Sequence, residues 1–383
     1  MKVAIYHPWI YLKSGLERTI LELLQRSRHE WVVYTSHYDA EGTYPELKDY
    51  AIQEVNKVSV QRSYGAVLGA SARIARTGLD LSSVDALVVC CDGVGSFITL
   101  RNAQRPILNL CFTPLRAVYD HEYRRRHLDR HRRRRWIALL LEQGYRVVDR
   151  WLWRRYSSVV CISDTVRERC TAANLYPANQ MKVHYPGVDE TAFAPGGTFA
   201  PFFFRPGRIM WTKNIELGIR AFQQFKATRG DYRLVVAGMV DEKSREYYEG
   251  LLELSGGDPD ISFVLGPTDA EMQEYYRTCT AVLFTAFNED LGLTPMEGMT
   301  KAKPVIAVGS GGPREVVAHR DTGYLVAADP NCFALAMEML AGNPERVRAM
   351  GRQGFDRVQR FTWGRFVADM DAALEEMVAP RNG

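Results

Sequence analysis

A strand-to-helix turn is predicted at Phe287-Asn288-Glu289-Asp290-Leu291-Gly292-Leu293-Thr294-Pro295-Met296-Glu297-Gly298-Met299. The apolar run Ala281–Thr285 precedes it and has the length of a buried strand. Glu289 lies at the strand end, and Glu297 follows in the first turn of the predicted helix. Between them Gly292 lets the backbone approach an anion closely, and the amides that follow open the helix. The turn therefore predicts an anion site with a carboxylate on each side.

A purely structural interpretation of this turn stays open. Thr294, Pro295 and Glu297 also fit a capping box, with threonine as the N-cap, proline as the first helical residue and glutamate at the third position. Under that interpretation Glu297 stabilises the helix start and contacts no ligand.

Apolar runs alternate with helix-length segments on both sides of the turn, which predicts parallel sheets with crossover helices. The predicted strands are Val3–Pro8, Trp31–Ser36, Ala51–Val58, Ala86–Cys91, Ile107–Phe112, Val159–Ser163, Phe202–Ile209, Leu234–Gly238, Ile261–Leu265, Ala281–Thr285, Pro304–Val308 and Tyr324–Val326. We expect an α/β protein with two doubly wound, Rossmann-like domains, at 1–190 and 202–361, facing each other across a cleft. Residues 191–201 are predicted as the linker, and 362–383 as a helix that returns to the first domain.

A second strand end carries two cations in Gly207-Arg208-Ile209-Met210-Trp211-Thr212-Lys213-Asn214. Arg208 can offer a planar fork to phosphate oxygens, and Lys213 offers a compact charge at a helix start. A diphosphate leaving group needs such neutralisation where no metal is present. Taken alone, this spacing is also common on protein surfaces.

Two glycine turns follow predicted strands in the same way, Ser14-Gly15-Leu16-Glu17-Arg18 and Ser310-Gly311-Gly312-Pro313-Arg314-Glu315. Neither is a GxGxxG sequence, and the chain has no Walker loop, so no motif supports dinucleotide or ATP binding. The one Asp-x-Asp, at Asp258 and Asp260, lies before a strand and is interpreted as a turn, not as a metal site.

In this order, the motifs resemble those of the family 4 retaining glycosyltransferases of the GT-B fold, a group that includes bacterial polysaccharide mannosyltransferases. The resemblance covers nearly all of the second half and rests on Gly207-Arg208 with Lys213, Phe263-Val264-Leu265-Gly266, Glu289 with Glu297, and Lys303-Pro304-Val305-Ile306-Ala307 with Gly311-Gly312. It implies that Arg208 and Lys213 hold the donor diphosphate, Glu297 the ribose, and Glu289 the donor sugar. Further donor contacts are expected at Gly15, Gly266, Gly292, Leu293 and Thr294.

The first half departs from the family pattern in two places. Ser14 stands where one of two adjacent glycines is usual, and Phe112 stands where the His-Thr-Pro-x-Arg segment has its histidine. Phenylalanine cannot hydrogen-bond the donor sugar, so His7 and His121 are alternative candidates for that contact.

The resemblance implies a retaining, metal-independent transfer of a hexose, with mannose from GDP-mannose as the leading donor, to a glycan or lipid-linked acceptor. The enzymatic alternatives are a UDP-sugar transferase acting on a small soluble acceptor and an epimerase of the same fold. No cofactor beyond the donor substrate, a GDP- or UDP-sugar, is expected.

The composition is that of an ordinary globular chain of 383 residues, with 46% hydrophobic and 25% charged residues. No apolar run is long enough for a membrane-spanning helix, and seven scattered cysteines without a CxxC favour a reducing cytoplasm over a disulfide framework.

Thirteen arginines lie between Arg116 and Arg155, including Arg124-Arg125-Arg126 and Arg132-Arg133-Arg134-Arg135. So dense a cluster of positive charge predicts an anionic partner. A nucleic-acid-binding protein is the non-enzymatic alternative, although no nucleic-acid motif accompanies the cluster. Trp136, Leu140, Val147 and Trp151 fall on one helical face here, which fits either a core-packed helix or a peripheral contact with an anionic membrane, at the inner face of the cell membrane.

Overall fold

The structure is a computed structural model that describes residues 1–60, 64–91, 93–130, 135–197 and 199–379. The chain divides into two compact units, Met1–Pro186 with Gly364–Gly383, and Gly187–Trp363. Each unit contains one parallel sheet flanked by helices. The predicted fold class is therefore confirmed.

In the first unit, the described residues form a seven-stranded parallel sheet of order β3-β2-β1-β4-β5-β6-β7. The strands are Lys2–His7 (β1), Glu30–Thr35 (β2), Ile52–Glu54 (β3), Ala86–Cys91 (β4), Ile107–Cys111 (β5), Ser158–Cys161 (β6) and Met181–Val183 (β7). The helices are Gly15–Arg26 (α1), Tyr64–Ala75 (α2), Arg116–Tyr119 (α3), His121–Arg130 (α4), Arg135–Trp153 (α5) and Asp164–Ala172 (α6).

In the second unit, the described residues form a six-stranded parallel sheet of order β10-β9-β8-β11-β12-β13. The strands are Phe202–Pro206 (β8), Arg233–Gly238 (β9), Ile261–Leu265 (β10), Ala281–Phe284 (β11), Val305–Val308 (β12) and Gly323–Val326 (β13). The helices are Ile215–Lys226 (α7), Arg245–Ser255 (α8), Asp269–Thr278 (α9), Leu293–Thr300 (α10), Pro313–Val316 (α11), Pro330–Ala341 (α12) and Pro344–Val358 (α13).

Large aromatic side chains fill the core of the second unit. Phe203 of β8 is fully buried with Phe222 and Phe225 of α7, and α7 packs against α12, which contributes Phe333. Burying a phenylalanine in this way is worth about 1.5–3 kcal/mol. These side chains join β8, α7 and α12 in one apolar core.

The C-terminal helix, Trp363–Val378 (α14), packs on the first unit through polar contacts. Arg28 donates two hydrogen bonds of 2.7 Å to Glu375, and Ser27 donates one of 2.6 Å to Asp371. Lys182 forms an ion pair with Glu376. The last helix thus belongs to the unit that contains the N-terminus.

The segment expected to be a linker is hydrogen-bonded to the second unit. The amides of Ala194 and Gly196 donate to the carbonyls of Thr300 and Lys301, at 3.2 and 3.0 Å. The observed strands differ from the predicted ones mainly at the two edges of the first sheet. The strand expected at 51–58 is confined to Ile52–Glu54, and the three-residue β7 was missed.

Candidate active site

The loops after β8 and β11 lie side by side at the point where the strand order of the second sheet reverses. Open α/β sheets bind their ligands at this switch point. The amide of Phe287, after β11, donates a 3.0 Å hydrogen bond to the carbonyl of Thr212, after β8. Two segments distant in sequence are thereby joined at one edge of the sheet.

Two predicted site residues meet here. The Lys213 ammonium nitrogen lies 2.7 Å from a Glu289 carboxylate oxygen, and each side chain is one-fifth exposed. The pair is thus shielded from bulk water but open to a ligand. A cation suited to phosphate and a carboxylate suited to sugar hydroxyls stand next to each other.

The Gly311-Gly312 turn supports the Glu289 loop by close backbone contact. The Gly312 amide donates to the Glu289 carbonyl at 2.8 Å. A Cβ atom at Gly311, where φ is +70°, would lie 2.5 Å from that carbonyl oxygen, and one at Gly312 would lie 2.3 Å from the Leu291 Cα. Only glycine fits at these two positions, so the turn after β12 fixes the place of Glu289.

Helix α10 begins without a side-chain cap, and the capping-box interpretation is therefore wrong. Its N-cap residue is Gly292, with φ of +100° and no side chain to bond the first amides. The left-handed glycine starts the helix at Leu293, so Thr294 and Pro295 already lie inside the first turn. Such a helix start presents its free amides and the positive end of its dipole to an anion.

Glu297 is bound to a tyrosine and not to the helix N-terminus. The hydroxyl of the buried Tyr276, on α9, donates a hydrogen bond to the Glu297 carboxylate. Burial raises the pKa of Glu297, while the hydrogen bond from Tyr276 opposes that rise. The hydroxyl of Tyr276 thus fixes the orientation of this carboxylate.

Arg208 and Gly266 are both accessible, and among the described residues neither forms a hydrogen bond or ion pair with Lys213 or Glu289. Arg208 is exposed directly after Gly207, and its guanidinium has no hydrogen bond or ion pair with any described residue. Gly266 follows β10 with φ of +61°, and its amide donates to the carbonyl of Gly238 at 3.1 Å. The structure therefore brings Lys213 and Glu289 together and leaves the roles of Arg208 and Gly266 as predictions.

Gly15 and the 112–120 segment lie in the first unit. Gly15 is the first residue of α1, whose N-cap is the Ser14 side chain. Phe112 is buried at the end of β5, and Arg116 pairs with the buried Asp120 at 3.2 Å. Of the two alternative histidines, His7 is buried and His121 is exposed.

Arg205 was missed by the sequence interpretation. It lies within the apolar strand β8, is 1% exposed, and donates a 2.7 Å hydrogen bond to the Lys213 carbonyl. The only signal in the sequence is a charged residue inside the run Phe202–Pro206.

Among the described residues there is no group of three or more His, Cys, Asp or Glu side chains that could hold a metal ion. The Asp258-x-Asp260 carboxylates both pair with the ammonium of Lys226, and the distance to Asp258 is 2.6 Å. The pair thus ties a turn to α7.

The second unit is similar to a known protein family. Residues 198–357 match the family described as "Glycosyl transferases group 1". The alpha-1,3/1,6-mannosyltransferase of Rhizomucor pusillus is 24% identical over 98% of this chain and 92% of its own length. That of Homo sapiens is 27% identical over 93% and 91%. A D-inositol 3-phosphate glycosyltransferase of Kineococcus radiotolerans is 30% identical over 56% of this chain and 55% of its own.

Solved structures share the fold at low sequence identity. Anabaena Alr3699/HepE, in complex with UDP and glucose, superposes with a TM-score of 0.76 at 17% identity, covering 98% of this chain and 99% of its own. Sucrose-phosphate synthase of Thermosynechococcus elongatus gives 0.77 at 16% identity, covering 98% and 99%.

Proposed function

Because the chain is a glycosyltransferase of the GT-B fold with a group 1 second unit, we propose that it transfers mannose from GDP-mannose to a glycan or lipid-linked acceptor. The observation that carries this proposal is the likeness to alpha-1,3/1,6-mannosyltransferases over more than nine-tenths of both chains. The expected resemblance to a glycosyltransferase is confirmed by these relatives. The identities of the donor base, guanine, and of the donor sugar, mannose, are both proposed here.

The Lys213–Glu289 pair supports the proposal because it offers both groups that a nucleotide sugar needs at one point. The donor diphosphate competes with Glu289 for the Lys213 ammonium, and the Glu289 carboxylate accepts from hydroxyls of the donor sugar. Arg208 and the amides at the start of α10 add positive charge for the same diphosphate. Glu297, oriented by Tyr276, is assigned to the ribose.

We propose transfer with retention, by attack on the face from which the leaving group departs. The acceptor oxygen bonds to the sugar C1 atom, the bond between C1 and the phosphate oxygen breaks, and the acceptor proton passes to the departing diphosphate. This chemistry needs stabilisation of the developing phosphate charge more than a separate base. Lys213, Arg208 and the α10 amides are the groups that would supply it.

Activity is expected to persist in EDTA, because Lys213, Arg208 and helix amides take the place of a divalent cation at the diphosphate. The measurement is the initial rate of transfer with EDTA and with added magnesium or manganese. Loss of activity in EDTA, with recovery on adding either metal, would contradict metal independence.

A transfer assay with isotope-labelled donors tests the proposed function. GDP-mannose and UDP-sugars are each supplied with and without a lipid-diphosphate-linked oligosaccharide, and the anomeric configuration of the product is read by NMR. We expect a product with retained configuration from GDP-mannose only when acceptor is present. Transfer product from UDP-sugars but not from GDP-mannose would support the UDP-sugar transferase. A sugar that is altered in the absence of acceptor would indicate an epimerase.

An anionic membrane is the proposed site of action, and it rests on the exposed face of α5. Trp136 and Leu140 are each 65% exposed, Val147 is 68% and Trp151 is 48%. A core-packed position for these four side chains is therefore wrong. Among the described residues, no helix is long and apolar enough to cross a bilayer.

The opposite face of α5 explains why the apolar side chains point outward. It buries Glu142 and Asp149, and Glu142 pairs with Arg124 and Arg146 at 2.7 Å each. Both arginines therefore neutralise a buried carboxylate of the same unit, and we do not assign them to an anionic partner. Arg132, Arg133 and Arg134 lie outside the described residues.

Two exposed arginines lie at the ends of the apolar face. Arg135 and Arg154, at its two ends, are exposed, and the guanidinium of Arg155 lies over the Trp151 ring at 4.7 Å. Tryptophans bordered by arginines suit the interfacial layer of an anionic bilayer. A lipid-linked acceptor would then be presented at the surface on which the enzyme sits.

Flotation with phosphatidylglycerol vesicles tests this surface. The wild type is expected to float at low salt, and the double variant Trp136→Ala with Trp151→Ala to partition about tenfold more weakly because it loses apolar insertion. Changing Arg132–Arg135 to Gln is expected to reduce the salt-sensitive part of the binding, since each basic residue near the surface contributes about 1 kcal/mol. Leu335→Ala, at a 57% exposed position on α12, is the matched control. Absence of the wild type from the floating fraction at low salt would contradict the membrane proposal.

A further inference from the structure

Arg205 is a buried cation beneath the Lys213 turn. Its Nε donates to the Thr285 hydroxyl at 3.0 Å, and its two terminal nitrogens donate to the carbonyls of Lys213, at 2.7 Å, and Pro206. Among the described residues, no carboxylate lies within ion-pair distance of it. Burial lowers its pKa to about 10, so the side chain stays charged at neutral pH.

A buried charge without a carboxylate partner is costly for the fold. An apolar side chain of similar volume at such a position is often neutral or stabilising. Arg205 stands in a strand whose neighbours, Phe203 and Phe204, are fully buried hydrophobic residues. Stability of the sheet therefore gives no reason for an arginine here.

The hydrogen bonds of Arg205 all lead to the loops of the site. The Thr285 hydroxyl that accepts from Arg205 itself donates to the Lys213 carbonyl at 2.8 Å. Arg205, Thr285 and the Lys213 carbonyl thus form a closed network that joins the ends of β8 and β11. The next residue, Asn214, has φ of +47°, a conformation that asparagine tolerates but does not favour. The network holds the chain at the residue before this turn.

We propose that Arg205 is a positioning residue, which fixes the main chain at Lys213 so that its ammonium meets the donor diphosphate beside Glu289. This inference rests on the proposed function and names a residue through which that site acts. In this role the side chain of Arg205 does not itself bind the donor. It works through the carbonyl of Lys213 and through Thr285.

The experiment is a double-mutant cycle on the full chain, read by calorimetric titration with GDP and with GMP, and with UDP and UMP if the uridine nucleotides bind better. We expect Arg205→Met to weaken diphosphate binding about fivefold to tenfold and monophosphate binding less than about twofold. In a Lys213→Ala background, the same change is expected to have less than about a twofold further effect, because the residue that Arg205 positions is gone. A generally damaged fold would instead weaken the binding of diphosphate and monophosphate to the same extent.

Thr285→Val is the second variant, since it breaks the same network from β11 while keeping the shape of the side chain. It decides the matter if Arg205→Met does not fold. Arg105→Met is the matched control: Arg105 also donates to two carbonyls, those of Leu81 and Ser82, but in the first unit. We expect it to leave both affinities unchanged.

Diphosphate affinity like that of the wild type in folded Arg205→Met and Thr285→Val proteins would overturn this inference alone. The inference would also be overturned if the losses of diphosphate affinity in Arg205→Met and Lys213→Ala multiplied in the double variant. A wild-type protein that binds neither diphosphate would overturn the proposed function together with it.

Discussion

Glu289→Ala is expected to lower turnover about ten- to a hundredfold, with nucleoside diphosphate affinity unchanged or slightly higher. The carboxylate is assigned to hydroxyls of the reacting sugar, and a charged hydrogen bond of this kind is worth about 1.5–3 kcal/mol. Its removal also frees the Lys213 ammonium, 2.7 Å away, for the diphosphate. The loss should therefore fall on kcat. Steady-state kinetics with the labelled donor, together with titration of GDP, measure the two effects separately.

Glu274→Ala is the control for this variant, because the Glu274 side chain lies on α9 and, among the residues that the structure describes, pairs only with the exposed Arg277. It is expected to keep the activity of the wild type. A Glu289→Ala protein with undiminished kcat would remove Glu289 from the reaction and leave it as the structural partner of Lys213.

Glu297→Ala is expected to weaken nucleotide binding about ten- to a hundredfold, with a smaller effect on kcat, because a ribose contact is made equally in the ground state and the transition state. Titration with GDP or UDP measures the loss. Tyr276→Phe is the companion variant, since it removes the hydrogen bond that orients Glu297 and keeps the carboxylate; its loss of affinity is expected to be smaller than that of Glu297→Ala. Affinity like that of the wild type in folded Glu297→Ala protein would make Glu297 a structural partner of Tyr276 only.

The raised pKa of Glu297 gives this residue a second, independent signature. Because burial lifts the pKa above its ordinary 4.5, the folded protein holds this proton more tightly than the unfolded chain does. The contribution of that proton to the free energy of unfolding is complete below pH 4.5, and it is lost as the pH rises through the raised pKa of Glu297. Glu297→Gln should remove this loss, so its melting temperature relative to the wild type should increase from acidic to neutral pH.

The meeting of Lys213 and Glu289 was predictable because both follow strands of one parallel sheet, and the carboxyl ends of such strands share an edge. Whether Thr294 or Gly292 begins α10 was not predictable from residue types, since the Thr-Pro-x-Glu spacing fits a cap equally well. The φ of +100° at Gly292 decides it, and only the folded backbone shows that angle. The glycines at 311 and 312 are required because of a contact with the Glu289 loop, which no local pattern reveals.

Burial of charged residues accounts for most of what the sequence did not reveal. Arg205 looks like an isolated charge in an apolar run, and its partners are carbonyls and a hydroxyl that are visible only in the fold. Helix α5 shows an apolar stripe in sequence, but periodicity does not say which face is covered. Here the covered face contains Glu142 and Asp149, because Arg124, Arg146 and the Tyr119 hydroxyl satisfy their oxygens.

Calorimetric titration of the whole chain with GDP, UDP and their sugar conjugates, with EDTA present, tests the central claim most directly. The account predicts saturable binding of GDP, tighter than that of UDP and weakened at least about tenfold by Lys213→Ala, as expected for loss of a charged contact to phosphate. Failure of the wild-type protein to bind any nucleoside diphosphate, with salt-sensitive binding to random RNA or DNA instead, would contradict it.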